Sequence, residues 1–267
     1  MTVNGMPVKP GYLLREGDKV EVRIPTQESP QVRAVDLPLT VLHESPDVIV
    51  LNKQAGVPVH PGHGHRDDTI VNALLARYPD MRSMQDQERL GIVHRLDMDT
   101  SGVLVVARNE SAQRFLQAQF KARTVQKVYV ALAEGHLTPA YGAIEAPVGR
   151  DPRNRKRMAV VAEGGRDART EYRVLEHLGD YTLLEAYPRT GRTHQIRVHL
   201  ASIGHPVAGD AVYGSRRTGR LFPRQFLHAL RVHIVLPGSK SQGEFEAELP
   251  DDLRQSLDTL NAQTHLG

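Results

Sequence analysis

Between Gly91 and Ala107 the chain reads Gly91-Ile92-Val93-His94-Arg95-Leu96-Asp97-Met98-Asp99-Thr100-Ser101-Gly102 and then the apolar run Val103-Leu104-Val105-Val106-Ala107. Two carboxylates, an arginine, a histidine and two hydroxyls are gathered in a loop that enters a short β-branched strand. Loops set on rigid elements are where reactive side chains collect. Asp97 lies between Leu96 and Met98, which would lower local water access. Burial alone would raise its proton affinity above the ordinary value of about 3.9, whereas a facing cation would hold it ionised. A carboxylate kept charged in a partly dry site is a candidate nucleophile or base. The same residue types also suit a structural strand entry, capped by Asp99, Thr100 and Ser101, with Arg95 paired to Asp97.

The whole string, G-I-V-H-R-L-D-x-D-T-S-G-V-L-V-V-A, resembles the signature of RluA-type RNA pseudouridine synthases, with the family's catalytic aspartate at Asp97. Three more blocks, spread with it over roughly residues 40–236, fit the same resemblance. Asp47–Gly62 is similar to the family's first motif, and Lys127-Val128-Tyr129-Val130-Ala131 to the segment that supplies an active-site tyrosine, here Tyr129. Pro188–Leu200, followed by Gly204-His205-Pro206-Val207-Ala208-Gly209-Asp210, is similar to the last motif, with the family's buried arginine at Arg197.

The resemblance implies isomerisation of uridine in structured RNA, with bacterial 23S rRNA as the substrate. The bond between ribose C1′ and uracil N1 breaks, the base turns, and it is rejoined through C5. This is redox-neutral and calls for no metal and no cofactor. It calls for a carboxylate that attacks uracil C6 or ribose C1′, or stabilises the detached base, and that role falls on Asp97. Arg197 would keep Asp97 ionised and aimed. Tyr129 would stack on the extruded uracil, its hydroxyl helping to remove the C5 proton. Extrusion costs a few kcal/mol, and Arg95 would fill the vacated space or grip a phosphate. His94 would touch the RNA backbone or only fix the loop, and Arg192 and His194 are further expected RNA contacts.

A basic run, Arg150, Arg153, Arg155, Lys156 and Arg157, follows the turn-like Pro147–Gly149 and suits a mobile loop that reaches phosphates. A second cluster, Arg216, Arg217, Arg220 and Arg224, is expected to steer RNA without reading bases. With 5% aromatic residues, a broad single-strand stacking platform is disfavoured. His60, His63 and His65 lie in a Pro/Gly loop with no cysteine to complete a metal site, so they read as loop histidines near RNA. A catalytically silent RNA-binding ribosome assembly factor is the alternative reading, opposed by the intact Asp97, Tyr129 and Arg197 set. A glycoside-cleaving pair of Asp97 and Asp99 is a third, weakened because Asp99 reads better as a local cap.

The elements that must position these groups follow from pattern. Residues 1–25 read as a hairpin, with turns at Val3-Asn4-Gly5 and Gly17-Asp18 and a half-buried strand over Lys19–Ile24. It resembles the last third of an S4 RNA-binding domain without its helical first part, a truncated S4-like N-terminus. Residues 26–38 read as a linker, 39–250 as the catalytic body and 251–267 as a frayed helical tail. Asp47–Asn52, Lys127–Ala133, Arg169–Val174, Tyr181–Ala186, Leu227–Leu236 and Gly243–Leu249 read as strands. Helices are expected over Thr69–Tyr78 capped by Asp68, over Ser111–Phe120, and over Thr193–Ile203 closed by Gly204. The resemblance implies an α+β pseudouridine synthase fold: a mixed, largely antiparallel sheet in two halves with flanking helices and an RNA-binding cleft.

The 267 residues allow ample core. With no cysteine there is no disulfide, thiolate nucleophile or Cys-ligated metal. No apolar stretch approaches ~18 residues and the N-terminus lacks a signal-peptide core. A cytoplasmic monomer with no membrane partner is expected, its partner being RNA. The net charge of +3 is small, so placement of the basic groups matters more than their sum.

Overall fold

A computed structural model describes residues 1–22, 32–62, 64–86, 89–154, 157–215 and 221–264. The chain divides into two compact units, Met1–Gln31 and Val32–Gly267. In the first, β1 (Thr2–Val3) pairs antiparallel with β2 (Met6–Pro7) and β3 (Val20–Glu21). Asn4 and Gly5 both have positive φ, 51° and 79°, the geometry of a two-residue hairpin turn. Asn4 ties that turn to the next one, through Nδ2 to Asp18 and by accepting the Lys19 amide. The expected alternation over Lys19–Ile24 is not half-buried: Val20 and Val22 are exposed, and Arg23 and Ile24 lie outside the described residues.

The second unit runs β4 (Thr40–Glu44), β5 (Val48–Lys53), α1 (Ile70–Arg77), β6 (Ser101–Ala107), α2 (Glu110–Ala122), β7 (Gln126–Glu134), β8 (Tyr141–Glu145), β9 (Val148–Arg150), β10 (Met158–Val160), β11 (Arg169–Leu178), β12 (Tyr181–Pro188), α3 (Gln195–Ser202), β13 (Leu227–Val235), β14 (Gln242–Glu246) and α4 (Asp251–Thr264). Among the described residues, nine strands form a sheet in the order β4-β5-β6-β13-β7-β12-β11-β8, with β14 added on β13. All its pairings are antiparallel except β6 with β13. The fold is α+β, and the two halves meet at β13.

The face that each residue takes alternates along the strands with period two, and β5 and β6 are buried on both faces. On β5 and β6, Ile49, Leu51, Leu104 and Val106 pack toward α1, while Val48, Val50, Val103 and Val105 pack toward α2. The other half buries Leu132, Leu184 and Leu227 with Ile196 and Leu200 of α3 and Leu253 and Leu260 of α4. Gly102 makes the central junction possible. Its φ is +115°, and a Cβ there would sit 2.2 Å from the Ala229 carbonyl oxygen across the parallel pair.

Four expectations about elements are corrected. Thr69, not Asp68, caps α1, in a reciprocal capping box with Asn72; Asp68 is taken up by His65. Val32–Pro38 belongs to the body rather than a linker, because Asn72 donates to the Arg33 carbonyl and accepts the chain again through the Val35 amide. Arg150 ends β9 opposite Met158, and the Arg157 carbonyl accepts the Asp151 amide, so these two residues flank the turn of a β9–β10 hairpin rather than lie in a free loop. Finally, α4 is a packed helix and not a frayed tail: Leu253 is fully buried, and Arg224 holds Asp252 in the first turn.

Candidate active site

The loop before β6 is fixed from below. Lys53 closes the apolar strand β5, is 1% exposed, and spends its three protons on the carbonyls of Gln54, Val57 and Met98 at 2.8–2.9 Å. Burial pulls its ammonium down to about 7, with the charge of Asp99 working the other way. From the side, Arg224 donates to the Asp99 carbonyl and the Ser101 hydroxyl while gripping Asp252 bidentately. His228 donates through Nε2 to the Ala247 carbonyl, so its Nδ1 accepts from Ser101. Thr100 takes a hydrogen bond from Gln225, and its amide closes a turn on the Asp97 carbonyl. Asp97 is therefore delivered by a rigid loop.

Asp97 faces a cleft of about 490 Å³ and is the sole carboxylate among the described residues that line it. Arg197 Nη1 donates to Asp97 Oδ2 at 3.0 Å. The rest of the guanidinium is turned inward: Nε and Nη2 donate to Asp210 at 2.6 and 2.9 Å. Asp210 is fully buried and also accepts the amides of Val212 and Tyr213. Burial opposes the Arg197 charge, but Asp210 and then Asp97 hold its proton affinity above the ordinary value. Burial likewise raises Asp210, and Arg197 more than offsets this, leaving it below the usual carboxylate range. The cation is thus neutralised from behind, and one donor is left for the cleft.

His194 precedes α3 in a left-handed conformation, φ 55°, which swings its ring beside Asp97, Nε2 to Oδ1 4.0 Å. Met158 donates its amide to Tyr213 Oη, whose own proton is then free for His194 Nδ1 at 2.9 Å. With Nδ1 accepting that proton, the histidine Nε2–H faces Asp97. Burial keeps this ring neutral below its usual range, against the pull of Asp97. The Tyr213 ring lies between the guanidiniums of Arg157 and Arg197, at 5.1 and 5.2 Å.

Tyr129 comes from β7, whose residue pairs with Ala186 and Ala229 leave its ring lining the cleft. Burial and then the Asp97 charge push its phenol well above the ordinary value, so it is a neutral hydroxyl. His94 is held rather than presented: its Nε2 accepts the Val105 amide and its ring stacks on Phe120 at 4.7 Å. Burial, aided by Lys127, drops it to about 3.

The fold thus brings Asp97, Tyr129 and Arg197 to one cleft, with His94, Arg95, Arg192 and His194 on its walls. Arg150 and Arg153 are exposed outside it, and Arg157 is spent on Tyr213. Arg155 and Lys156, like His63 and Arg216, Arg217 and Arg220, lie outside the described residues. Arg224 is a buried clamp and not an RNA-steering surface residue. Asp210, Tyr213, Lys53 and Arg224 escaped sequence reasoning as parts of the site. A lysine closing the apolar run Val48–Asn52 was the one available signal among them.

A mixed sheet with a carboxylate–guanidinium pair on the floor of a central cleft defines the class. The chain belongs to the RNA pseudouridylate synthase family, which it matches over residues 47–202. It is 55% identical over 209 residues to an uncharacterised RNA pseudouridine synthase of Chloroflexus aurantiacus, covering 78% of this chain and 65% of that one. It is 40% identical over 266 residues to the ribosomal large subunit pseudouridine synthase D of Escherichia coli, covering 95% and 80%. Among solved structures, human RNA pseudouridylate synthase domain containing 1 superposes with a TM-score of 0.62 at 31% identity, over 84% of this chain and 95% of that one. No helix among the described residues is long and apolar enough to cross a membrane.

Proposed function

We propose that this protein converts uridine to pseudouridine in large-subunit ribosomal RNA, with Asp97 as the reacting carboxylate. The observation that carries the reading is the Arg197 bridge, which aims one carboxylate into the cleft and sinks the other, Asp210, beneath it. Relatives named ribosomal large subunit pseudouridine synthase D, aligned over almost the whole chain, support the substrate. Action on ribosomal RNA would put the protein in the cytoplasm with its substrate.

Asp97 attacks uracil C6 or ribose C1′, the N1–C1′ bond breaks, and C5 of the turned base bonds to C1′. Loss of the C5 proton and release of Asp97 then restore the aromatic ring and the free carboxylate, with no net redox change. Arg197 steers the carboxylate and offsets its charge. Tyr129 backs the uracil. Burial and then the Asp97 charge keep its phenol protonated, and its hydroxyl helps to carry away the C5 proton. Arg95, exposed two residues before Asp97, would occupy the space left by the extruded base. Arg150 and Arg153 would steer RNA from outside the cleft.

Tritium release from rRNA labelled at uracil C5 tests the reading. Wild type releases tritium and Asp97→Asn does not; equal release by both would remove Asp97 from the chemistry. Reverse-transcription mapping of carbodiimide-treated rRNA from a deletion strain identifies the uridine.

A further inference from the structure

Part of the cleft wall is cationic, and no ion pair among the described residues neutralises it. The end of α2 and the start of β7 bring Lys121, Arg123 and Lys127 to it, and the segments before β11 and after β12 bring Arg166 and Arg192. None of the five forms an ion pair with a carboxylate among the described residues. The neighbouring Arg189, by contrast, is neutralised by Glu171 at 2.7 Å. Arg192 is half-buried, its Nε held by the Asp167 carbonyl oxygen. Burial, then Arg166 and Arg123, depress its affinity for its own proton, and the charge of Asp167 only partly offsets them, so three guanidiniums converge closely enough to repel one another. Lys127 is drawn down to about 8 by burial, and the Thr190 carbonyl at 3.2 Å is its partner.

A helix C-terminus accounts for some of this charge, because the dipole of α2 favours Lys121 and Arg123. It does not account for Arg166 and Arg192, which come from other segments. Like charges gathered and partly dried cost stability unless an anion joins them. The gathering lies on the wall supplied by residues 121–127, 166 and 190–192, while Asp97 is occupied by Arg197 and His194.

We propose that Arg123, Lys127, Arg166 and Arg192 form a phosphodiester-binding site that holds the RNA backbone next to the extruded uridine. The proposal rests on the RNA-modifying reading for its ligand and adds the place where the strand is gripped. Lys127 and Tyr129 are two apart on β7 and so share a face, which puts a backbone contact within one nucleotide of the base pocket. Guanidiniums pair with diester oxygens bidentately and carry no sequence information, so the site positions the strand and leaves selection to other contacts.

Filter binding of a 23S rRNA transcript across a salt series tests this independently of catalysis. The double variant Arg123→Ala/Arg166→Ala, both residues exposed, is expected to bind about tenfold more weakly at 0.1 M salt. Its slope of log affinity against log salt should be shallower by roughly 0.7 for each phosphate that is no longer neutralised. Lys127→Met should add a similar loss, with the kinetic penalty on KM more than on kcat. Arg114→Ala, which alters an exposed α2 arginine outside the cleft, should bind as wild type does. Unchanged affinity and slope in the double variant would overturn the site while leaving tritium release by the wild type intact. Shallower slopes with no tritium release by any protein would keep the site and remove the enzymatic reading. Inorganic phosphate at matched ionic strength should not displace the transcript at millimolar concentration; displacement would reassign the cluster to a free anion.

Discussion

Arg197 divides its donors between two carboxylates with different tasks. Asp210 takes two of them in the dry interior, and Asp97 takes one at the cleft floor. Breaking a buried pair by removing one charge leaves the other stranded. Asp210→Asn keeps the volume but not the charge, and is expected to cost roughly 3 kcal/mol in denaturant unfolding. It should also lower single-turnover tritium release by about 10- to 100-fold, since Arg197, no longer anchored from behind, would lose the orientation that aims Asp97 into the cleft. Tyr213→Phe is a finer probe. The ring beside two guanidiniums remains, and only the hydroxyl that meets His194 Nδ1 and accepts the Met158 amide is lost. A stability loss near 1 kcal/mol with a several-fold fall in kcat and an unchanged KM would assign Tyr213 a positioning role. Equal effects on kcat and KM would instead point to disturbed packing.

At the scale of elements, the site depends on how three strands meet. β6 can enter beside β13 only because residue 102 has no Cβ. Gly102→Ala meets both an unfavourable φ and a backbone oxygen, so a loss above about 3 kcal/mol is expected by chemical denaturation. Arg224 links the C-terminal helix to the same loop, joining Asp252 to Asp99 and Ser101. Arg224→Met would strand those acceptors, lowering stability by about 2–4 kcal/mol and slowing tritium release together. A stable, fully active variant would show that the loop holds its shape without α4.

Acid sensitivity belongs to the whole molecule. His94, His194, His199 and His228 are all pushed below their ordinary value of 6.5 by burial, His94 as far as about 3. Below about 6.5 the unfolded chain takes up protons that the folded chain refuses, so stability falls as pH drops from 6.5 toward 3. The Tm is expected to decline over that window, and His94→Gln, which keeps an acceptor for the Val105 amide, should flatten the decline. A flat Tm in wild type would mean that these rings protonate without unfolding.

Local pattern carried seven of the eleven strands described in the second unit, three of the helices and the residues that converge, because alternation, caps and a polar loop before an apolar run are written in neighbouring positions; β4, β8, β9 and β10 were not legible. Asp97, Tyr129 and Arg197 were legible through their motif strings, and the hairpin at Asn4-Gly5 through its turn chemistry. Partnership was not legible. Asp210 closes the last motif string, but the string does not say whether it is a buried counter-ion or a surface acid, and Arg224 looked like one more basic residue until Asp252 and Asp99 faced it. Arg123, Arg166 and Arg192 are separated by dozens of residues, so their convergence is a property of the folded sheet alone. Composition and periodicity act over a few residues, whereas the charge state and task of a side chain depend on what the fold brings within a few ångströms of it.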